Sequence, residues 1–386
     1  MKEIGLFIFP WDLADEGIDR VMGFAADSGI TMLYMASVYH AGFFLHPHNP
    51  IHKVYLLEDG VAYFHPRLET YGKIRPTVAE VARQIDWFAA AAARSREFGL
   101  RLSAWTVCMH NSRLGDQHPE AVVHDAFGNP HPYALCPSHP DVQQYVRALL
   151  KDLSRYAPAS LLLEAFRYMD VVHGAHHERW SIPLPPLERE LLAMSFTPSD
   201  LAAAAQSGVD GARARALAVD HLERFFATYP RIDMRHPRTL EDFELRFPDV
   251  AAYRSCLLSV MDTLRDRVVA DLDGSGIELI GQGRQDFNIS CSPQKSGWDA
   301  LLCSVYDQQP AEAANSVRAA RISAAPRQRI YATIKLGFGA ITEAVQLADL
   351  LSALEDAGAD AALFYNYGEC AQTILDWIGP AVSSRN

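Results

Sequence analysis

Eight short apolar runs, each followed by a stretch with helical patterning, limit the fold of this chain more than any other feature. They are Ile4–Phe9, Thr31–Ala36, Arg101–Val107, Ser160–Glu164, Ile277–Ile280, Ala300–Val305, Ile330–Ile334 and Ala361–Tyr365. Rich in β-branched and aromatic residues, the runs read as strands buried on both faces of a parallel sheet. The helical stretches carry their own punctuation. Glu16–Ser28 ends at Gly29, and Thr77–Phe98 has a cap candidate in Thr77 and ends at Gly99. Pro140–Tyr156 follows Ser138 and His139, and Ile341–Ala357 closes at Gly358. Eight strands alternating with helices predict a closed (β/α)₈ TIM barrel.

A length of 386 residues suits one such barrel with insertions, so residues 1–386 are read as a single domain. Apolar residues make up 49% and charged residues 21%, enough for a large core and not a disordered composition. The net charge of −12 argues against nucleic acid or an anionic membrane as partner, since both demand clustered Lys and Arg. No apolar run reaches the roughly 18 residues of a membrane span. The N-terminal MKEIGLFIFPWD holds too short an apolar run for a signal-peptide core and reads as the first strand. Six cysteines (Cys108, Cys136, Cys256, Cys291, Cys303, Cys370) are scattered without a CxxC pair. That pattern predicts reduced thiols, a cytoplasmic protein and no structural zinc site.

Two intervals break the rhythm. Residues 37–76, after strand two, hold Pro47, Pro50, Pro66 and Pro76 with many aromatics and four histidines. Residues 165–270, after strand four, are helical in pattern, as in Pro198–Gln206 and Ala212–Tyr229. Both leave from strand C-terminal ends, the face on which barrel enzymes build active sites. Residues 170–270 are therefore expected to form a helical lid or subdomain over the cleft, with Trp180 as an aromatic wall.

Polar residues at strand ends are the candidates for chemistry. They are Trp11 and Asp12 after strand one; Ser37, Tyr39 and His40 after strand two; Trp105, Thr106, His110 and Asn111 on strand three; and Glu164, Arg167 and Tyr168 on strand four. Gln282, Arg284, Asp286 and Asn288 follow strand five, and Tyr306, Asp307 and Gln308 follow strand six. Lys335 ends strand seven, and Tyr365, Asn366, Tyr367 and Glu369 end strand eight. Aromatic faces that stack on sugar C–H faces, mixed with charged and amide groups for hydroxyls, suit a carbohydrate. Trp11, Asp12, His40, Trp105, His110, Arg167, Tyr168, Tyr306, Lys335, Tyr365 and Asn366 are read as substrate contacts, as are His173, His176, His177 and Glu178 in the insertion.

Glu164 is the sharpest residue, a carboxylate directly after Leu161, Leu162 and Leu163. Burial raises a carboxyl pKa and fits such a group for proton transfer near neutral pH. The bland alternative is a rim salt bridge to Arg167. A glycosidase needs a second carboxylate, about 5 Å away for retention and further for inversion. Asp286, on the Gly-bearing loop Gly281–Asp286, is favoured, with Asp307 next and Asp12, Glu178 and Glu369 behind. His40, His46, His48 and His52 form one histidine group, and His173, His176 and His177 another. Neither has HExxH spacing, and strand one lacks HxH, so no metal ligand and no cofactor is assigned. Gly337 and Gly339, before a helix, are read as loop glycines rather than a phosphate cradle.

The segment Leu135-Cys-Pro-Ser-His-Pro-Asp-Val-Gln-Gln-Tyr, a helix, then a strand ending in Glu164 with Arg167 and Tyr168 nearby resembles the stretch before the catalytic strand of TIM-barrel glycoside hydrolases. The loop Asn49–Tyr55 and His176-His177-Glu178 resemble segments of uncharacterised members of that group, and the likeness spans residues 30–180. It departs where Pro158-Ala-Ser replaces the usual Asp-Gly, where Glu164 stands in place of the commoner Asp, and in having no clear Glu at the end of strand seven. The resemblance implies a barrel that hydrolyses a glycosidic bond by carboxylate acid/base chemistry on a small-molecule or oligosaccharide substrate, with a homo-oligomer left open. A metal-dependent barrel enzyme such as a sugar isomerase, and a non-catalytic carbohydrate-binding barrel, are the alternatives.

Overall fold

The computed structural model describes residues 1, 3–172, 177–231, 237–282, 289–291, 297–337 and 339–384. Asp286, His173 and His176 lie outside the described residues, as do Arg284 and Asn288. The barrel strands are β1 (Glu3–Ile8), β2 (Met32–Tyr39), β3 (Arg101–Val107), β4 (Ser160–Glu164), β5 (Glu278–Gln282), β6 (Ala300–Ser304), β7 (Arg329–Lys335) and β8 (Ala361–Tyr365). Each pairs in parallel with its neighbours in chain order, and β1 pairs with both β8 and β2, so the sheet closes into a (β/α)₈ barrel. All eight predicted strands are present.

Period-two alternation sorts the strand residues into those facing the barrel interior and those facing the helices. At the N-terminal end, the first residues of the odd-numbered strands are Glu3, Arg101, Glu278 and Arg329. Arg101 Nη2 meets Glu3 Oε2 at 2.5 Å and Arg329 Nη2 meets Glu278 Oε1 at 2.6 Å. The phenols of Tyr34 and Tyr331 donate to the same two carboxylates at 2.6 and 2.7 Å. A layer drawn from alternate strands is the usual way a barrel interior is filled. Above it Gly5 leaves room that neighbouring side chains use: a Cβ there would lie 2.5 Å from Leu363 Cδ2 and 2.6 Å from Tyr34 Cε2. Higher still, Phe7, Trp105 and Tyr365 meet, with ring centroids 4.9 Å (Phe7–Trp105) and 5.5 Å (Phe7–Tyr365) apart.

Three helices differ from their sequence reading. A helix over Pro10–Glu16 starts immediately after β1, and Gly17, at φ +92°, separates it from the helix Ile18–Asp27. The stretch expected as Thr77–Phe98 is helical over Trp87–Arg94 and continues as a 3₁₀ turn to Phe98. Its cap is Asp86, whose side chain accepts from the Ala89 N–H, while Thr77 and Val78 pair as a short strand with Val61–Ala62. The last expected helix begins at Ala344 rather than Ile341, so it does not abut Gly337 and Gly339, which both take positive φ.

The excursion after β2 extends the sheet through Val61–Ala62, antiparallel to β2, and projects a hairpin of Phe43–Leu45 and Val54–Leu56. The insertion after β4 contains the helices Pro186–Ala193, Pro198–Gln206, Gly211–Thr228, Leu240–Arg246 and Pro248–Asp271. The longest, Pro248–Asp271, packs on the barrel helix Pro140–Ser154, where Arg147 Nε meets Asp271 Oδ2 at 2.6 Å. Leu187, Leu217, Leu222, Phe243, Tyr253 and Leu257 belong to the same buried cluster as the barrel strands. These helices therefore share the barrel's core and buttress its flank. No helix among the described residues is long and apolar enough to cross a membrane.

The crowding at Gly5 makes a simple test of the interior. Gly5→Ala is expected to lower stability by about 1–3 kcal/mol, the usual cost of overpacking a filled core. Denaturant unfolding of the variant measures it, and an unchanged midpoint would show that the barrel interior is looser than described.

Candidate functional site at the C-terminal end of the barrel

Glu164 is half-buried at the top of β4. In the β3–β4 register Leu162 lies beside Trp105, so Glu164 stands one pleat higher on the same face. The Trp105 indole Nε1 donates to Glu164 Oε2 at 2.5 Å. A buried indole N–H requires an acceptor, and a carboxylate is a strong one. The next residue, Ala165, adopts φ +52°, a left-handed conformation that is costly for a residue with a Cβ. Its N–H and the Arg167 guanidinium both donate to Gln282 Oε1 of β5, at 3.3 and 3.0 Å. Burial pulls Arg167 below the usual guanidinium range against the opposing pull of Glu164 and Asp170.

Aromatic rings form the floor. Trp105 meets Tyr39 edge-on at 4.8 Å and Tyr365 at 5.8 Å, and Tyr306 lies 5.8 Å from Tyr365. The Tyr39 and Tyr365 hydroxyls approach to 3.4 Å. Burial pushes the hydroxyls of Tyr39, Tyr306 and Tyr365 well above the ordinary tyrosine range, with carboxylates adding at all three and a neighbouring phenol at Tyr39 and Tyr365. Glu164 and Glu369 both contribute to each of those three shifts. Glu369 itself is half-buried after β8; Asn366 Nδ2 donates to its Oε1 at 2.5 Å, and its N–H donates to Asn366 Oδ1 at 2.9 Å. Burial raises the Glu369 carboxyl, opposed by Asn366 and Lys335.

A wall rises on the β2–β3 side. His40 stacks between Tyr39 (4.3 Å) and His110 (4.5 Å), and His110 faces Tyr133 at 6.0 Å. Tyr133 donates to the Asp170 carbonyl at 3.2 Å, and Arg189 grips the Asp170 carboxylate from the insertion. Burial raises the Tyr133 hydroxyl above the ordinary tyrosine range, and Asp170, Glu178 and Asp125 raise it further. His177 and Trp180 are exposed.

Other expected contacts lie elsewhere. Trp11 and Asp12 sit on the helix that Pro10 starts, not at an open strand end, and are 2% and 0% exposed. Trp11 stacks on Phe9 at 4.3 Å and Tyr55 at 5.1 Å, and its N–H donates to His46 Nε2 at 3.3 Å. Asp12 faces His46 at 3.5 Å and accepts from the Phe9 N–H at 2.8 Å. His48 meets Glu16 at 3.1 Å and His52 meets Asp15 at 2.9 Å, so with His46 three histidines of the excursion clamp it to this helix, whose Asp12 lies against Gly368 of the loop after β8. Burial lowers His48, but Glu16 and the Cys370 carbonyl outweigh it and raise the imidazole above its usual value. Tyr168 points into the core, where its hydroxyl donates to Asp200 at 2.7 Å. Asp307 is exposed at φ +56°, its carboxylate against Gly339, where a Cβ would come within 1.9 Å of Oδ1. Among the described candidates Glu164, Trp105, Arg167, Tyr306, Lys335, Tyr365 and Asn366 come together, with His40 and His110 on the wall. Sequence reasoning passed over Tyr133, Asp170 and Phe7; Phe7 was legible from its two-residue spacing to Gly5 on β1, the others from no local pattern.

No protein-family model and no curated protein matches the sequence. Solved structures do share its fold. A β-galactosidase from the psychrophilic Marinomonas ef1 superposes with a TM-score of 0.60 over 99% of this chain at 13% identity, and the chain spans 59% of that protein. A β-galactosidase from the haloarchaeon Halorubrum lacusprofundi gives 0.59 over 99% at 13% identity, with 57% of its length spanned. The catalytic domain of a β-amylase from Paenibacillus polymyxa gives 0.57 at 10% identity, with 99% of this chain and 98% of that domain covered. At these identities the likeness establishes the TIM-barrel fold, shared with glycoside hydrolases.

The wall also carries a pH signature. Burial works to raise the Asp125 carboxyl, but His131 and the side-chain and backbone N–H groups of Asn129 hold it down to about 2, from 3.8. A carboxyl lowered on folding adds stability above its unfolded pKa and loses it as pH falls toward the folded one. Asp125→Asn should therefore flatten the acid limb of the stability profile between about pH 4 and pH 2. Thermal melts across that range test it, and parallel limbs in the two proteins would refute the assignment.

Proposed function

We propose that this protein is a carbohydrate-active enzyme that hydrolyses a glycosidic bond in the cleft at the C-terminal ends of its strands, with Glu164 in the proton-transfer machinery. The observation that carries the reading is the Trp105–Glu164 hydrogen bond, which fixes a carboxylate over a floor of Trp105, Tyr39, Tyr306 and Tyr365. Aromatic faces bind the C–H faces of a sugar, and a positioned carboxylate supplies acid/base chemistry at the bond between sugars. Arg167, Gln282 and Lys335, all partly exposed, offer donors for ring hydroxyls. The fold neighbours, two β-galactosidases and a β-amylase, support the substrate class. Aryl galactosides and glucosides, with α-linked glucans, make the first panel to assay.

Glu164→Gln tests the reading directly. The amide oxygen still accepts from the Trp105 indole, so the fold should hold while the proton-transfer group is gone. Hydrolysis is expected to fall by a factor on the order of 10² or more, the usual worth of general acid–base catalysis. A melting temperature measured on the same variant should stay near that of the parent. Full turnover with a stability loss of roughly 1 kcal/mol or more would instead make Glu164 part of a rim ion pair with Arg167.

A further inference from the structure

We infer that Glu369, on the loop after β8, is the second catalytic carboxylate and the proton donor to the departing sugar oxygen. The inference rests on the glycosidase reading of the cleft and identifies the partner that Glu164 needs.

Two carboxylates must face one bound sugar from different sides of its anomeric carbon. Glu164 rises from β4 and Glu369 from the loop after β8, which are opposite positions in an eight-strand ring. The floor joins the two: Trp105, which donates to Glu164, meets Tyr365 at 5.8 Å, and Tyr365 runs directly into Asn366, which donates to Glu369. Glu369 lacks the freedom of a surface side chain. Asn366, 1% exposed, donates to its Oε1 and accepts its backbone N–H, which locks the loop and aims the carboxyl.

The surroundings of Glu369 also suit a group that carries a proton. Burial, with the neighbouring Asp12, raises its carboxyl against the opposing pull of Asn366, Lys335 and His46. Of the other described candidates, Asp307 is exposed and packed against Gly339, Asp12 is fully buried against His46, and Glu178 acts on Tyr133 of the wall. In the reaction, the Glu369 proton passes to the glycosidic oxygen as the bond from that oxygen to the anomeric carbon breaks. A water oxygen bonds to the anomeric carbon, and its proton passes to Glu164. One water is consumed, and exchange with solvent returns both carboxyls to their starting forms.

The test compares Glu369→Gln with Glu164→Gln on two glycosides of whichever sugar the parent enzyme cleaves fastest. One carries 2,4-dinitrophenol, a leaving group that departs without a proton, and the other carries a simple alkyl alcohol that needs one. Glu369→Gln is expected to lose a factor on the order of 10² or more on the alkyl glycoside and little on the dinitrophenyl glycoside. Glu164→Gln should lose activity on both. Equal losses of Glu369→Gln on the two substrates, or none on either, overturn the proton-donor role. So does the selective pattern appearing in Asp286→Asn while Glu369→Gln keeps full turnover. A parent enzyme that cleaves no glycoside overturns the glycosidase reading itself, and with it this one.

Discussion

The indole N–H of Trp105 lies inside the mouth of a closed barrel, where water cannot serve it, and the acceptor it finds is the Glu164 carboxylate. That bond joins the packing of the barrel to the polar chemistry above it. Below the bond, Phe7, Phe9, Tyr39 and Tyr365 surround the indole and fill the space that eight strands leave at this end. Above it, Arg167 and Gln282 fix the turn that leaves β4. A carboxylate placed this way has one oxygen committed to the indole and still keeps part of its surface open.

The walls depend on two further devices. On the β2 side, His46, His48 and His52 meet Asp12, Glu16 and Asp15, so the excursion is held to the helix after β1. On the β4 side, the insertion contributes Asp170 and Arg189 to the rim, while its helices pack along the flank against Pro140–Ser154. The N-terminal layer of Glu3, Arg101, Glu278 and Arg329 closes the other end. The candidate site and the charged N-terminal layer thus occupy opposite ends of the barrel, as the geometry of the fold favours.

Much of this was legible in the chain. The eight runs from Ile4 to Tyr365 located every barrel strand, because strands buried on both faces must be continuously apolar. The position of Glu164 directly after Leu161, Leu162 and Leu163 marked it as a carboxylate at a strand end. Local pattern failed where a short-range signal competed with another. Thr77 looked like a helix cap, but β-branched Thr77 and Val78 paired with Val61–Ala62, and Asp86 capped the helix instead. Trp11 and Asp12 looked like strand-end residues, but Pro10 began a helix that carried both into buried packing.

The sequence by itself determined the number and order of strands and the face on which their polar ends gather. It did so because burial on two faces and the 3.6-residue period of the flanking helices are written locally. Only the tertiary structure decided which of those polar ends meet. Tyr168 turned to Asp200, the excursion histidines turned to the first helix, and Glu369 came beside Lys335 and Asn366. Those choices depend on side chains far apart in the chain that compete for the same buried partners. The top of β4 does so with Trp105 and Gln282, and the phenols do so across β2, β6 and β8. No local pattern records such a competition, because its outcome is set by closure of the barrel.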